Sequence, residues 1–228
     1  METLLQNGLT ALGLPTESIP QLRRFSELLL EKNKVMNLTA ITEPAQVAKL
    51  HLLDSISLLT LCDLSGKKMI DVGCGAGFPG VPVKIACPGV QLTLLDSLGK
   101  RMNWLETVLP TLGVEAECIT ARAEEAVATR REQYDVATSR AVARLNILLE
   151  LTAPYVKVGG KVLAMKGTAA LEELEEAKNA IKKLGLKLET VKEFPVDGTA
   201  HTVIVLRKVA PTPSQYPRRY AKIKQSPL

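Results

Sequence analysis

A chain of 228 residues suits one full domain with an N-terminal elaboration better than two equal domains. With 46% hydrophobic and 23% charged residues it is composed as a globular protein able to bury a core without disulfides or a metal, and no apolar run reaches the ~18 residues of a membrane span. The net charge of +5 is unevenly placed: no acidic residue follows Asp197, while Arg207, Lys208, Arg218, Arg219, Lys222 and Lys224 do. A basic tail with interleaved tyrosines either contacts phosphates or stays solvated, and charge alone does not choose between the two. The first twenty residues hold Glu2 and no Lys or Arg, unlike the start of a secretory signal, so the expected location is the cytoplasm. Cys62, Cys74, Cys87 and Cys118 form no close pair, and His51 and His201 lie far apart in the chain; buried free thiols and no metal site are expected.

From about Pro20 the pattern is helical, with Leu22, Phe25, Leu28 and Leu29 on one face. A second helical stretch follows Pro44 and carries Val47, Leu50, His51 and Asp54 at spacings of three and four. His51 and Asp54 then share a face, where they either bond to each other as a structural pair or line a cleft. Residues 1–64 read as an N-terminal helical extension. From Lys67 short apolar strands alternate with helices: Met69–Val72, Val90–Leu95, Cys118–Thr120, Val136–Thr138 and Lys161–Met165 as strands, then a charged helix through Leu171–Leu184. Two last strands, around Leu188–Val191 and Thr202–Leu206, lack a helix between them and should pair antiparallel. Strand–helix alternation implies a parallel sheet covered on both faces, with right-handed crossovers. The expected fold is therefore α/β and Rossmann-like, a seven-stranded, mostly parallel sheet of the class I methyltransferase type. It occupies residues 65–209, and residues 210–228 form the basic tail.

The run from Ile70 to Gly80, with Asp71, Gly73, Gly75 and Gly77, sits where the first strand hands over to a helix. Glycines there let the backbone approach a ligand closely and adopt conformations other residues avoid. A dinucleotide fingerprint starting at Gly73 would need glycine where Phe78 stands. The G-x-G-x-G form, with the acid Asp71 before it and Asp96 ending the second strand, suits S-adenosylmethionine instead. Asp71 would face its amino group and Asp96 its ribose hydroxyls.

The acceptor is narrowed by what is missing. After the fourth strand comes Ser139-Arg140-Ala141, not the Asn/Asp-Pro-Pro-aromatic element that holds exocyclic amines. No cysteine follows Cys118, which disfavours attack on a pyrimidine carbon. What remains is an acceptor that is already nucleophilic, such as a ring nitrogen, or a hydroxyl needing a base. For a ring nitrogen no catalytic residue is required, only alignment.

Several segments taken together resemble one family. They are Asn37-Leu38-Thr39, His51 with Asp54-Ser55, the loop Asp71–Pro82, Arg122-Ala123-Glu124, Ser139-Arg140-Ala141, Lys166-Gly167, Tyr216-Pro217-Arg218-Arg219 and Ser226-Pro227-Leu228. The chain is similar in these to the glucose-inhibited division protein B family, the small-subunit ribosomal RNA guanine-N7 methyltransferases G. The resemblance implies methyl transfer from S-adenosylmethionine to N7 of a guanosine in 16S rRNA, within the 30S subunit or its RNA, by a monomer with no membrane partner. It maps cofactor contacts onto Gly73, Phe78, Ala123, Glu124 and Arg140. The tail departs from the family pattern at Tyr220–Gln225.

Phe78 is expected to wall the cofactor cavity, Glu124 to meet the adenine region, and Arg140 to contact the cofactor carboxylate or an rRNA phosphate. Arg122, Lys166, Arg218 and Arg219 are the RNA-binding candidates, with Arg144 a further one. Trp104 and Phe25 read as core residues. A small-molecule or protein methyltransferase of the same fold, and a non-catalytic RNA-binding module, are the competing readings.

Overall fold

The computed structural model describes residues 1–196 and 199–228. Helices α1 (Glu2–Ala11) and α2 (Ile19–Met36) open the chain. A broken helical stretch follows: α3 (Pro44–Val47), a π-helical segment Ala48–Leu53, α4 (Asp54–Ile56) and a short 3-10 turn. Then come β1 (Lys68–Val72), α5 (Gly80–Ala86), β2 (Gln91–Asp96), α6 (Gly99–Thr111), β3 (Ala116–Thr120), α7 (Ala123–Ala126) and β4 (Tyr134–Arg140). The chain continues with α8 (Leu145–Thr152), β5 (Val156–Lys166), α9 (Ala170–Glu176), α10 (Lys178–Lys183), β6 (Leu186–Val196), β7 (Thr199–Lys208) and α11 (Tyr220–Gln225).

The seven strands lie in the order β3-β2-β1-β4-β5-β7-β6. β1 to β5 are mutually parallel, and β7 runs antiparallel to both β5 and β6. This is the mostly parallel sheet with a reversed closing strand that the alternation implied. The charged helix expected over Leu171–Leu184 is two helices that meet at Ala177.

Strand side chains alternate between the sheet's faces, and the core divides accordingly. On one face Met69, Leu92, Leu94, Val136, Leu163 and Val205 pack beneath α2, α5 and α6 in one cluster. That cluster takes in Leu5 and Leu9 of α1 and Leu22, Phe25 and Leu29 of α2, so the N-terminal helices share the sheet's core instead of building their own. Trp104 stacks on Phe25 inside it, with ring centroids 6.2 Å apart. On the other face Ile70, Val72, Ala137, Val162 and Ile204 lie under Leu148 and Leu149 of α8 and Ala180 of α10. Of the four cysteines, all free, only Cys74 is fully buried.

The tail is folded onto the body. Tyr216 and Ile223 are buried, and Thr212 binds Leu184 O and Glu132. Arg131 donates to the carbonyls of Thr212 and Tyr216. Glu150 of α8, 0% exposed, accepts from the Arg218 backbone N–H (2.9 Å) and from its guanidinium at Nε (2.8 Å) and Nη2 (2.6 Å). Lys208, also fully buried, is held by Glu132, Ala153 O and Val156 O. A buried carboxylate is tolerable only when paired this completely. We expect Glu150→Gln to cost about 2–3 kcal/mol, towards the lower end of values for breaking a buried pair because Arg218 keeps some solvent. The urea midpoint should fall at unchanged m-value, and an unaltered midpoint would show that this pair does not hold the tail.

Candidate functional site

The parallel register brings the C-terminal ends of β1, β2, β4 and β5 to one edge of the sheet. In open α/β sheets ligands bind at that edge. There the loop after β1 turns through positive φ at Gly73 (72°), Gly75 (55°) and Gly77 (91°). A Cβ on Gly73 would lie 2.4 Å from Val142 Cγ2, and one on Gly77 2.6 Å from Val81 Cγ2. Both positions therefore need glycine for space as well as conformation.

Two aspartates shape the loop from below. Asp96 accepts from Gly75 N through Oδ2 and from Leu98 N through Oδ1, each at 2.9 Å, which locks the loop to the start of α6. Asp71 is completely buried; its Oδ2 accepts from Gly80 N at 2.8 Å at the start of α5. Its Oδ1 has no hydrogen-bond partner. Burial pushes this carboxyl up to about 7.

A cavity of about 250 Å³ opens over the loop, lined by Gly73, Asp96, Arg122, Ala123, Glu124 and Tyr220 among others. Of the expected cofactor residues it gathers Gly73, Asp96, Ala123 and Glu124, while Asp71, Gly75, Gly77, Phe78 and Arg140 are not on its lining. Tyr220, from the helix the tail forms, was not foreseen; Arg122 lies over its ring at 5.8 Å. The only sequence signal was the mixture of aromatic and basic residues where the tail leaves the family pattern. Phe78 does not line this cavity, contrary to expectation. Its ring is buried against Phe25 (5.4 Å) and stacked on His51 (4.7 Å), with the Arg140 guanidinium 5.1 Å above it.

A second cavity, of about 550 Å³, shares Ala141 and Val142 with the first and is lined also by His51, Asp54, Arg140, Lys166, Glu173 and His201. Arg140 is its hub. Nη1 donates to Leu50 O (2.8 Å) and Asp54 Oδ2 (3.2 Å), and Nη2 to His51 Nδ1 (3.0 Å). Of the two roles open to His51 and Asp54 in the sequence, lining a cleft is the one seen, and instead of a direct bond one guanidinium lies between them. Arg can only donate, so His51 Nδ1 accepts and Nε2–H donates to Thr39 Oγ1 at 2.8 Å. Burial, helped by Arg140, pushes the His51 pKa down to about 4, so the ring is neutral near pH 7. His201, at the start of β7, places Nδ1 2.9 Å from Asp54 Oδ1, and that bond raises its pKa. His201 was read from sequence only as too distant for a metal site. Antiparallel pairing of β7 with β5 is what carries it to this edge.

The four RNA-binding candidates divide. Arg122 and Arg219 are exposed and make no ion pair among the described residues. Lys166 is largely buried, paired with Glu173 at 2.7 Å and donating to Ala143 O. Arg218 is spent on Glu150, and Arg144 on Glu172 and Glu176. A further cleft of about 480 Å³ between Lys68, Thr93, Glu117 and Arg130 holds none of the expected residues. The Arg130–Glu117 ion pair lies in it.

Sheet order, reversed β7 and glycine loop together define a class I methyltransferase fold. Solved structures share it: precorrin-6y C5,15-methyltransferase from Geobacter metallireducens aligns with a TM-score of 0.51 at 14% identity, over 68% of this chain and 87% of that one. M. jannaschii TYW2 in complex with AdoMet gives 0.52 at 15% identity, over 63% and 69%. Such distant likeness speaks for fold alone. Sequence goes further: residues 18–202 match the family described as rRNA small subunit methyltransferase G. Proteins of that name from Alkaliphilus oremlandii and Caldanaerobacter subterraneus are 43% and 45% identical, covering 100% and 99% of this chain and 99% and 97% of their own. The chain belongs to the rRNA small subunit methyltransferase G family.

The two histidines should titrate apart. His201, raised by Asp54, contributes stability that is full below the unfolded value of 6.5 and fades as pH rises through its folded pKa. His51, lowered to about 4, contributes stability present above 6.5 and lost as pH falls through about 4. In an NMR titration of the ring protons His201 should titrate above 6.5, moving back towards it in Asp54→Asn, and His51 should stay neutral down to about pH 5. A His51 midpoint near 6.5 would contradict the Arg140-bound tautomer.

Proposed function

We propose that this chain transfers a methyl group from S-adenosylmethionine to N7 of a guanosine in 16S rRNA, as naked RNA or within the 30S subunit. The observation that carries the reading is the pair of cavities on either side of one thin segment, Ala141–Val142. One is built on a glycine loop, and the other is larger and carries Asp54, Arg140, Lys166 and Glu173 on its lining. Two features of the loop suit the cofactor. Asp71 Oδ1, buried beneath the loop and not part of the cavity lining, is an acceptor without a donor, which a cationic amino group reaching it would satisfy. Gly73, which does line the cavity, has no room for a Cβ because Val142 on the same lining stands against it. Asp96 would then take the ribose hydroxyls, and Ala123 and Glu124 the adenine side.

When bound, S-adenosylmethionine supplies an electrophilic methyl group on a sulfonium. The chain's own part is alignment. Guanine N7 carries an in-plane lone pair free of a proton at neutral pH, so no general base is needed. His51 agrees with that reading, because its one unprotonated nitrogen already accepts from Arg140. Arg140 and Phe78 fix the wall behind the acceptor cavity and leave the Ala141–Val142 segment lining both cavities, beside the line on which the two ligands would meet. Exposed Arg122, Arg219, Lys222 and Lys224 meet phosphates around the mouth. Both cavities are lined by one chain, so a monomer suffices, and a ribosomal substrate places the enzyme in the cytoplasm.

Incubating the protein with S-adenosylmethionine and unmodified 30S subunits or 16S rRNA should yield 7-methylguanosine on nucleoside mass spectrometry. Unmodified RNA, or methyl on another base, would overturn the reading. Gly73→Ala should weaken cofactor binding about 10-fold or more by calorimetry, because backbone strain there is of order 1–3 kcal/mol. The triple variant Arg219→Ala, Lys222→Ala and Lys224→Ala should flatten the dependence of log binding constant on log salt by about 1 for each phosphate no longer neutralised. It spares Tyr216, Arg218 and Ile223, which hold the tail down.

A further inference from the structure

Both purines carry an in-plane lone pair at N7, and although guanine's is the more nucleophilic, reactivity alone does not select one base for an enzyme. If the acceptor is guanine, as proposed above, discrimination must come from the far edge of the base, where guanine offers an acceptor at O6 and donors at N1 and the 2-amino group. Adenine offers a donor at position 6 and an acceptor at N1, so the edges are inverted. A reader of guanine needs a donor beside an acceptor, both desolvated.

The 550 Å³ cavity holds two carboxylates. Asp54 is fully committed, one oxygen to Arg140 and the other to His201. Glu173 is not. Its Oε2 takes both Leu145 N and Lys166 Nζ, each at 2.7 Å, and among the described residues Oε1 has no donor. Lys166 and Glu173 side chains are only 7% and 14% exposed, so they are held in one place and shielded from water. Lys166 is tied further by Ala143 O, directly after the segment that divides the two cavities.

We propose that the Lys166–Glu173 pair is the guanine-specificity element of the acceptor cavity: Lys166 Nζ donates to O6, and Glu173 Oε1 accepts from N1–H and the 2-amino group. Adenine would set a donor against the ammonium and leave the carboxylate facing a ring lone pair. Base recognition is then the form taken by the RNA contact read for Lys166 from sequence.

The test uses the full-length protein, radiolabelled S-adenosylmethionine, and reconstituted subunits carrying guanosine or inosine, which lacks only the 2-amino group, at the acceptor position. Wild type should lose about 10-fold in kcat/KM with inosine, the range for one hydrogen bond to a buried charge. Glu173→Gln, nearly isosteric and able to keep the Leu145 contact through its amide oxygen, should lose about 100-fold on guanosine with cofactor affinity unchanged. Its penalty for inosine should all but vanish. A wild type indifferent to inosine overturns the proposal, as does a Glu173→Gln protein that keeps the full inosine penalty. The wild-type comparison needs no variant, and Glu173→Asp, which keeps the charge but shortens its reach, should show a reduced penalty if the amide variant does not fold. Absence of any N7 methylation by wild type on guanosine would instead defeat the parent reading.

Discussion

The architecture of this site hangs on one partly buried guanidinium. Arg140 ends β4, in the middle of the sheet, and reaches across to the carbonyl of Leu50, the ring of His51 and the carboxylate of Asp54, while covering the face of Phe78. A planar fork with fixed donors can satisfy three acceptors from two elements at once, which an ammonium could not do in that geometry. The helical stretch it meets is π-helical over Ala48–Leu53, a local widening often found where side chains and carbonyls are turned to a function. Through this contact the N-terminal helices are registered against the catalytic edge of the sheet, and the shared hydrophobic cluster beneath makes that registration rigid. His51 neutrality and the His201–Asp54 pair are consequences of the same placement.

The segment immediately after Arg140 inherits its precision. Ala141 sits at φ 57° and Val142 lies against Gly73, so the wall between the two cavities is a short strained turn leaning on the glycine loop. Methyl transfer needs donor and acceptor in direct, in-line contact, and the two proposed seats would meet beside a short segment anchored at one end by Arg140 and close to Lys166 at the other.

Much of the sheet was legible in the sequence. The strands were short apolar runs between turn residues, and the loop's glycines stood at positions of positive φ, with a Cβ colliding at Gly73 and Gly77, so each carried a local signal. Asp96 was placed for the same reason. Phe78 misled because an aromatic in a ligand loop reads the same whether it faces the ligand or the core. Here the N-terminal helices supply Phe25 and His51 as its neighbours, across more than fifty and twenty-five residues of chain respectively. His201 and Tyr220 reach the site only through strand pairing and tail docking, which no window of sequence displays. Charge alone left the role of the C-terminal basic residues open, and pairing decides part of it: of the six after Asp197, Arg207, Lys208 and Arg218 are matched by Glu189, Glu132 and Glu150.

Tyr220 has one more implication. A binding seat walled partly by the last helix is finished only when that helix docks, long after the loop and strands that form its floor have been made. Under the proposed function, affinity for the cofactor would then be a property of the whole folded chain and not of the glycine loop. The buried Glu150 clamp, next to Leu151 on the lining of the same cavity, would be part of what sets it.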